Sequence, residues 1–221
     1  MCGRFTLTVD PVDLQMRLDL IDVPGELKPR YNIAPTQPVA VVTSPTDRQV
    51  EIFQWGLIPS WSKDPSIASR LINARAETVP EKPAFRVPFA RRRCLILADG
   101  FYEWQALEKS KQPYYIRLAS GEPFAFAGLW DHWTSPEGDE RHTCAIITCE
   151  PNELMRPRHN RMPVIFDKTT MWDWLDPDAP PLALKAMLAP YAAGAMTAYP
   201  VSRAVNKPGN DSPECLQPEK I

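Results

Sequence analysis

Short β-rich segments separated by turns and prolines dominate the chain between residues 39 and 166. Each segment is rich in β-branched or aromatic residues and is bounded by turn-forming residues, which is typical of strands. The segments cover residues 39–43, 49–55, 94–98, 101–104, 113–118, 123–130, 143–149 and 162–166. Many short strands joined by turns predict a mainly antiparallel sheet in a barrel-like or two-sheet core. The 25 prolines are dispersed, which favours long, rigidly shaped loops over a low-complexity linker.

Helices are predicted only at the periphery of this sheet. Asp10 and Pro11 provide an N-cap and a first-turn proline for a short amphipathic helix whose apolar stripe begins at Leu14. Helical periodicity returns only at residues 169–175 and 181–191. The predicted fold class is therefore α+β, with a mainly antiparallel, barrel-like core and peripheral helices.

Length and composition indicate one globular domain. A chain of 221 residues can bury one sizeable core, and we expect a single domain over residues 1–210 and a loose tail over 211–221. No apolar run approaches the roughly 20 residues that span a bilayer, and no secretory signal is visible, so we expect no membrane association and a cytoplasmic location, nucleoid-associated if the source is bacterial. The net charge of -2 excludes a globally basic nucleic-acid binder, so any DNA contact must be local. A monomer is the expected state.

The cysteines predict neither a disulfide framework nor a metal site. The chain has 5 cysteines at irregular spacing and no C-x-x-C pair. Cys144 and Cys149 lie in a strand-like segment and are interpreted as core residues. We therefore expect no metal and no other cofactor.

Cys2 becomes the amino terminus if Met1 is removed, which its small side chain permits. The α-amine and the thiol would then lie on adjacent carbons, with pKa values of roughly 8 and 8.5. Such a 1,2-aminothiol condenses with an aldehyde to an imine, which the thiol closes into a thiazolidine. A cysteine at position 2 without any function is the alternative.

Several polar residues among the apolar strands are further candidates. Glu103 is flanked by bulky apolar residues, which would raise its pKa and suit it to general acid or base catalysis; an exposed residue or a structural ion pair is the alternative. His159 lies among arginines that would keep it neutral and able to accept a proton, unless it is a solvated surface histidine. Asn73 can position a substrate oxygen or bond its own turn. Trp55 and Trp61 can stack on unpaired bases or belong to the core.

Eight ordered motifs together resemble the SOS response-associated peptidase (SRAP) family, which includes the HMCES group of abasic-site processing proteins. The motifs are MCGRF (1–5), RYNIAPTQ (30–37), WGLIPSW (55–61), INARAET (72–78), RCLILADGFYEW (93–104), FAGLWD (126–131), RHNRMPVI (158–165) and VSRAVN (201–206). The resemblance spans nearly the whole chain. Two positions depart from the usual pattern: Asn160 stands where relatives often carry Asp, and Leu97 where many carry Pro.

The resemblance implies a function and a set of site residues. Cys2 would capture the ring-opened aldehyde of an abasic site in single-stranded DNA as a covalent thiazolidine, shielding the site. Glu103 would be the acid/base residue, His159 would assist catalysis and reversal, and Asn73 would orient the site. The implied DNA contacts are Arg4, Trp55, Trp61, Arg75, Thr148 and Arg161.

Three other functions stay open at this point. The first is a cysteine peptidase in which Cys2, with His159 and Glu103, cleaves peptides or removes Met1 from its own chain. The second is a non-catalytic single-strand binder in which Cys2 is incidental. The third is a β-elimination lyase that uses the α-amine of Cys2 to form a Schiff base with the abasic sugar.

Overall fold

The computed structural model describes residues 2–108 and 110–219, which form thirteen strands and four α-helices. The strands are β1 (Phe5–Leu7), β2 (Arg30–Ile33), β3 (Pro38–Val42), β4 (Glu51–Trp55), β5 (Asn73–Arg75), β6 (Arg93–Ala98), β7 (Gly100–Ala106), β8 (Lys111–Leu118), β9 (Phe124–Thr134), β10 (Glu140–Cys149), β11 (Met162–Pro163), β12 (Ile165–Phe166) and β13 (Met196–Pro200). The helices are α1 (Pro11–Leu18), α2 (Arg86–Arg91), α3 (Met171–Leu175) and α4 (Pro181–Met187). Short 3-10 helices cover Pro65–Arg70, Ala193–Ala195, Arg203–Asn206 and Pro213–Leu216.

Five strands close into a barrel in the order β4-β3-β6-β9-β10. All neighbours pair antiparallel except β10 and β4, whose parallel pairing places Cys144 opposite Trp55 and closes the ring. Strand β6 is buried along its whole length, as expected for an apolar strand in the middle of a core. The predicted α+β class with a barrel-like, mainly antiparallel core is therefore confirmed.

A second sheet of five strands, in the order β13-β8-β7-β1-β2, packs against the barrel. Phe5 of β1 joins the two layers, because its ring lies 5.2 Å from that of Trp55 and 5.5 Å from that of Phe126. Edge-to-face rings at this distance stabilise a core beyond the area they bury. The first strand, which begins shortly after Cys2, is thus fixed at the interface of the two sheets.

A buried carboxylate anchors β1 to the start of β7. Asp99 accepts hydrogen bonds from the Thr6 hydroxyl at 2.5 Å and from the Thr8 amide and hydroxyl, both at 2.6 Å. The next residue, Gly100, has no room for a side chain, since a Cβ there would lie 2.1 Å from the Tyr115 hydroxyl. Charge-assisted bonds of this kind hold the amino-terminal strand in one position.

The helices lie at the periphery, as predicted. The Asp10 side chain caps α1 by accepting from the Val12 and Asp13 amides, and Leu14 is buried beneath it. The helix expected over 181–191 ends at Met187. None of the helices in the described part of the chain is both long and apolar enough to cross a membrane.

The segment after β13 folds back on the second sheet. The buried side-chain amide of Asn32 donates to the carbonyl oxygens of Val205, Lys207 and Asn210, at 3.1, 3.1 and 2.8 Å. The backbone N–H of Asn32 donates to the Asp211 carboxylate at 2.9 Å. Beyond it, the 3-10 helix Pro213–Leu216 includes the fully buried Cys215, and Val201 bridges to Pro218. Where composition suggests a loose tail, residues 211–219 are held by these contacts.

Candidate active site at the amino terminus

Cys2 precedes β1, from which Gly3 and Arg4 separate it, and is completely buried. The Asn73 side-chain amide donates to the Cys2 carbonyl oxygen at 2.9 Å. Asn73 begins β5, which pairs parallel with β10 and places Asn73 opposite Ile146. The Asn73 side chain therefore ties the backbone of the candidate nucleophile to the barrel, and the orienting role that the resemblance implies for Asn73 stays a prediction.

The Cys2 thiol is protonated at neutral pH. Burial raises its pKa far above the ordinary value, and the negative charge of Glu103 raises it further. The Cys2 sulfur lies 3.9 Å from the Arg4 carbonyl oxygen, a weak contact that leaves it a thiol.

Glu103 has the properties of a proton shuttle at neutral pH. It lies in β7, is 3% exposed, and burial raises its pKa from 4.5 to about 7. Both protonation states are therefore well populated near neutrality, which is the condition for one group to donate and then accept a proton. The sequence predicts a raised pKa for Glu103 because of its apolar neighbours, and the pKa of the buried side chain is raised.

His159 is held in one tautomer by the backbone. The Arg161 amide donates to His159 Nδ1 at 3.0 Å, and the Arg161 carbonyl oxygen lies 3.3 Å from the same nitrogen. The shorter contact assigns Nδ1 as an acceptor, which places the proton of the neutral ring on Nε2. Burial, followed by nearby positive charges that include Arg161 and Lys111, lowers the His159 pKa and favours the neutral form. The sequence predicts that His159 is neutral and accepts a proton, and its lowered pKa agrees with the neutral form. In this form Nδ1 accepts from Arg161, so Nε2 is the donor in our assignment.

Glu103 and His159 line an open, polar cleft of about 640 Å³. Its lining residues are Arg4, Glu103, Trp104, Ser110, Lys111, His159, Arg203 and Asn206. The sequence does not predict five of these as site residues: Trp104, Ser110, Lys111, Arg203 and Asn206. Two of the motifs, FYEW (101–104) and VSRAVN (201–206), contain three of them, but only the fold shows that these motifs meet.

Arg4 joins the cleft to the carboxy-terminal segment. Its Nη1 donates to the Asn32 Oδ1 and to the Val205 carbonyl oxygen, both at 2.8 Å. Its guanidinium carbon also lies 6.0 Å from the centre of the Trp104 ring. Arg4 therefore has a structural role in addition to the DNA contact that the resemblance implies.

The other predicted DNA contacts on the barrel lie together beside β5 and β10. The Arg161 guanidinium forms a bidentate ion pair with Glu77, at 2.6 and 3.0 Å, and also donates to the Thr148 carbonyl oxygen. Arg75 is exposed and pairs in register with Thr148. Thr148 itself is completely buried and donates to the Ala74 carbonyl oxygen, so direct contact of its side chain with DNA is not compatible with this structure.

The two tryptophans of the WGLIPSW segment differ in environment. Trp61 is 62% exposed, as a residue that stacks on a base must be. Trp55 is completely buried, packs on Phe5 and donates from its indole to the Ile72 carbonyl oxygen at 2.9 Å. The prediction that Trp55 contacts bases is therefore corrected: it is a core residue, because the barrel closes around it.

All five cysteines are reduced and buried, which agrees with the core interpretation of Cys144 and Cys149. Over residues 2–108 and 110–219, no group of three or more His, Cys, Asp or Glu side chains could hold a metal ion.

The fold and the site define a class of protein: a barrel-cored α+β protein whose second residue is a buried cysteine bound by an amide, with a carboxyl and a histidine in one cleft. The chain belongs to the SOS response associated peptidase (SRAP) family, whose model matches residues 1–208. It is 46% identical to the abasic site processing protein YoqW of Bacillus subtilis, over 98% of this chain and 99% of that protein. It is also 32% identical to the abasic site processing protein HMCES of Xenopus tropicalis, over 98% of this chain and 78% of that protein.

A solved structure from Bacteroides thetaiotaomicron has the same fold. It superposes with a TM-score of 0.90 at 28% sequence identity, covering 99% of this chain and all of the other. A second structure, from Bordetella bronchiseptica, superposes with a TM-score of 0.80 at 26% identity, over 91% of this chain.

Proposed function

We propose that this protein processes abasic sites in single-stranded DNA by forming a covalent thiazolidine through Cys2. The observation that carries the proposal is the arrangement around Cys2. Asn73 holds its carbonyl oxygen at 2.9 Å, and the buried Glu103, with a pKa of about 7, acts electrostatically on its thiol. Membership in a family whose relatives are named abasic site processing proteins supports the same substrate.

The reaction requires a free α-amine, so Met1 must be removed before it begins. The Cys2 amine attacks C1′ of the ring-opened sugar and a C–N bond forms. Glu103 donates a proton to the aldehyde oxygen, and its carboxylate then takes the proton that the amine nitrogen releases. The resulting carbinolamine loses water to give the imine. The thiol sulfur then adds to the imine carbon while its proton passes to the nitrogen. The products are one thiazolidine and one water molecule, without a metal or a redox cofactor.

His159 has a separate role in this proposal. An abasic sugar exists mainly as a closed ring, and opening it converts the ring oxygen to a hydroxyl. The Nε2–H of His159 is a donor for that oxygen, because Arg161 fixes the tautomer at Nδ1. In the reverse reaction the same nitrogen takes back the proton. Trp61 supplies stacking and Arg75 a phosphate contact to the flanking strand. A phosphate contact of Arg161 requires that its ion pair with Glu77 opens.

The state of the thiol favours crosslinking over peptidase turnover. A cysteine peptidase activates its nucleophile by lowering the thiol pKa, whereas burial and Glu103 raise that of Cys2. Addition of the thiol to an imine does not require a lowered thiol pKa, because the imine nitrogen accepts the thiol proton. Whether this chain or another enzyme removes Met1, the proposal requires only that the amine is free. We place this activity in the cytoplasm, on DNA, with one copy of the chain for each site.

A denaturing-gel assay tests the proposal. Wild-type protein should give a stable crosslink with a single-stranded oligonucleotide that contains one abasic site, and none with a tetrahydrofuran analogue that lacks the aldehyde. Cys2→Ala should lose the stable crosslink. Retention of both oligonucleotides without any covalent product would instead indicate a non-catalytic binder, and increased strand cleavage by Cys2→Ala would expose a lyase activity that the thiol normally suppresses.

A further inference from the structure

We propose that Lys111 and Arg203 form a phosphate-binding subsite in the cleft beside Glu103 and His159. This inference rests on the proposed function, because the ligand is a phosphate next to the reacting sugar. Lys111 begins β8 and Arg203 begins the 3-10 helix Arg203–Asn206, so two distant parts of the chain supply the two cations.

The charges of the cleft are unbalanced in favour of an anion. Arg4, Lys111 and Arg203 line it, against the single carboxyl of Glu103. Lys111 and Arg203 are exposed, and within residues 2–108 and 110–219 neither forms a salt bridge with a carboxylate. A concave surface with excess positive charge concentrates anions.

Arg4 is less available for this role than the other two cations. Its Nη1 already donates to Asn32 and to the Val205 carbonyl oxygen. These two hydrogen bonds occupy one terminal nitrogen of the Arg4 guanidinium. The remaining cations, Lys111 and Arg203, are thus the main candidates for direct phosphate contact.

The segment that carries Arg203 is fixed before any ligand arrives. Asn32 holds the carbonyl oxygens of Val205 and Lys207, and the Trp104 indole donates to Asn206 Oδ1 at 2.8 Å. The Ser202 hydroxyl oxygen accepts from the Ala204 amide at 3.2 Å. A cation on a pre-ordered backbone binds with a smaller entropic cost than one on a mobile loop.

The position of the cations matches the chemistry of the substrate. An abasic nucleotide within DNA has phosphodiesters on its 3′ and 5′ oxygens, so an anion accompanies the aldehyde into the cleft. Lys111 and Arg203 line the same cleft as Glu103 and His159. A phosphate bound there would be a neighbour of the reacting sugar.

The test compares 2-deoxyribose with 2-deoxyribose 5-phosphate as aldehydes that form a thiazolidine with the protein. Intact mass spectrometry measures the rate at which each product forms. The wild-type rate constant should be larger for the phosphorylated sugar, by about tenfold or more for charge-assisted hydrogen bonds. Lys111→Gln and Arg203→Gln should each reduce this ratio, and the double variant should bring it close to the ratio that free cysteine gives with the same two sugars. Arg86→Gln, an exposed arginine outside the cleft, is the matched control and should keep the wild-type ratio.

An unchanged ratio in the double variant would overturn the inference. If wild-type protein formed no thiazolidine with either sugar, the proposed function would fail, and binding would then test the subsite separately. For this, affinity for a single-stranded tetrahydrofuran oligonucleotide is measured as a function of salt. Loss of one phosphate contact should reduce the slope of log K against log salt by about 0.7. The same slope in the wild type and the double variant would exclude the subsite.

Discussion

The buried carboxyl of Glu103 should destabilise the folded protein above neutral pH, and Glu103→Gln should remove this effect. The pKa of Glu103 is about 7 in the folded state, against an ordinary value of 4.5. Between these two values the folded protein holds the proton and the unfolded chain has released it. Stability contributed by the protonated form is thus fully present below about pH 4.5 and is lost as the pH rises through about 7.

The magnitude follows from the difference between the two pKa values. A tenfold change in a protonation equilibrium is about 1.4 kcal/mol, so the interval from 4.5 to about 7 corresponds to about 3 kcal/mol in the free energy of unfolding. The side chain is 3% exposed, so solvent screening reduces this figure little. Glutamine has nearly the same shape and does not titrate.

Urea denaturation at about pH 4 and about pH 8 measures the effect as a double difference. The free energy of unfolding of the wild type should fall by about 3 kcal/mol more than that of Glu103→Gln over this range. Glu153→Gln, an exposed glutamate, should follow the wild type. Parallel pH dependences of the wild type and Glu103→Gln would refute the reasoning, because they would mean that Glu103 has the same pKa in both states.

Three further predictions concern the site. The crosslinking rate of the wild type should peak between the Glu103 pKa of about 7 and an amine pKa of about 8, and Glu103→Gln should be slower by about 100-fold and should rise only with the amine; a peaked profile in the variant would contradict the acid role. Asn73→Ala should slow crosslinking by about tenfold, because the Cys2 carbonyl oxygen loses its donor, and Asn73→Asp should not restore the rate; full activity of either variant would show that orientation by Asn73 is unimportant. Trp61→Ala should weaken single-strand binding by about 1–3 kcal/mol with the wild-type melting temperature, whereas Trp55→Ala should destabilise the fold by about 3–5 kcal/mol; the reverse pattern would contradict their assignment to surface and core.

The strands of the core could be predicted from the sequence because their apolar runs are long enough to be recognised. Segments such as 94–98 and 143–149 lie within β6 and β10. The short strands β1, β2 and β5 were not predicted, because three or four residues with mixed polarity carry no clear period of two. Strand β1 follows Cys2, β2 carries Asn32 and β5 carries Asn73.

The predicted site was partly recoverable from local patterns. The apolar neighbours of Glu103 in FYEW were sufficient to predict its raised pKa. The environment of Trp55 and Thr148 was not predictable, because both residues are buried by pairing with segments far away in the chain. The same holds for Arg203, whose segment is held at the cleft by residues far away in the chain, among them Asn32, more than 170 residues earlier than the Val205 that it binds.

The covalent chemistry of Cys2 is the central claim, and intact mass spectrometry tests it most directly. Purified protein is measured alone and after incubation with a single-stranded oligonucleotide that carries one abasic site, with Cys2→Ala as the control. We predict a protein mass without Met1 and an adduct equal to protein plus oligonucleotide minus one water, stable in the wild type and absent from the variant. A wild-type protein that lacks Met1 and gives no adduct, or an equally stable adduct of Cys2→Ala, would contradict the account.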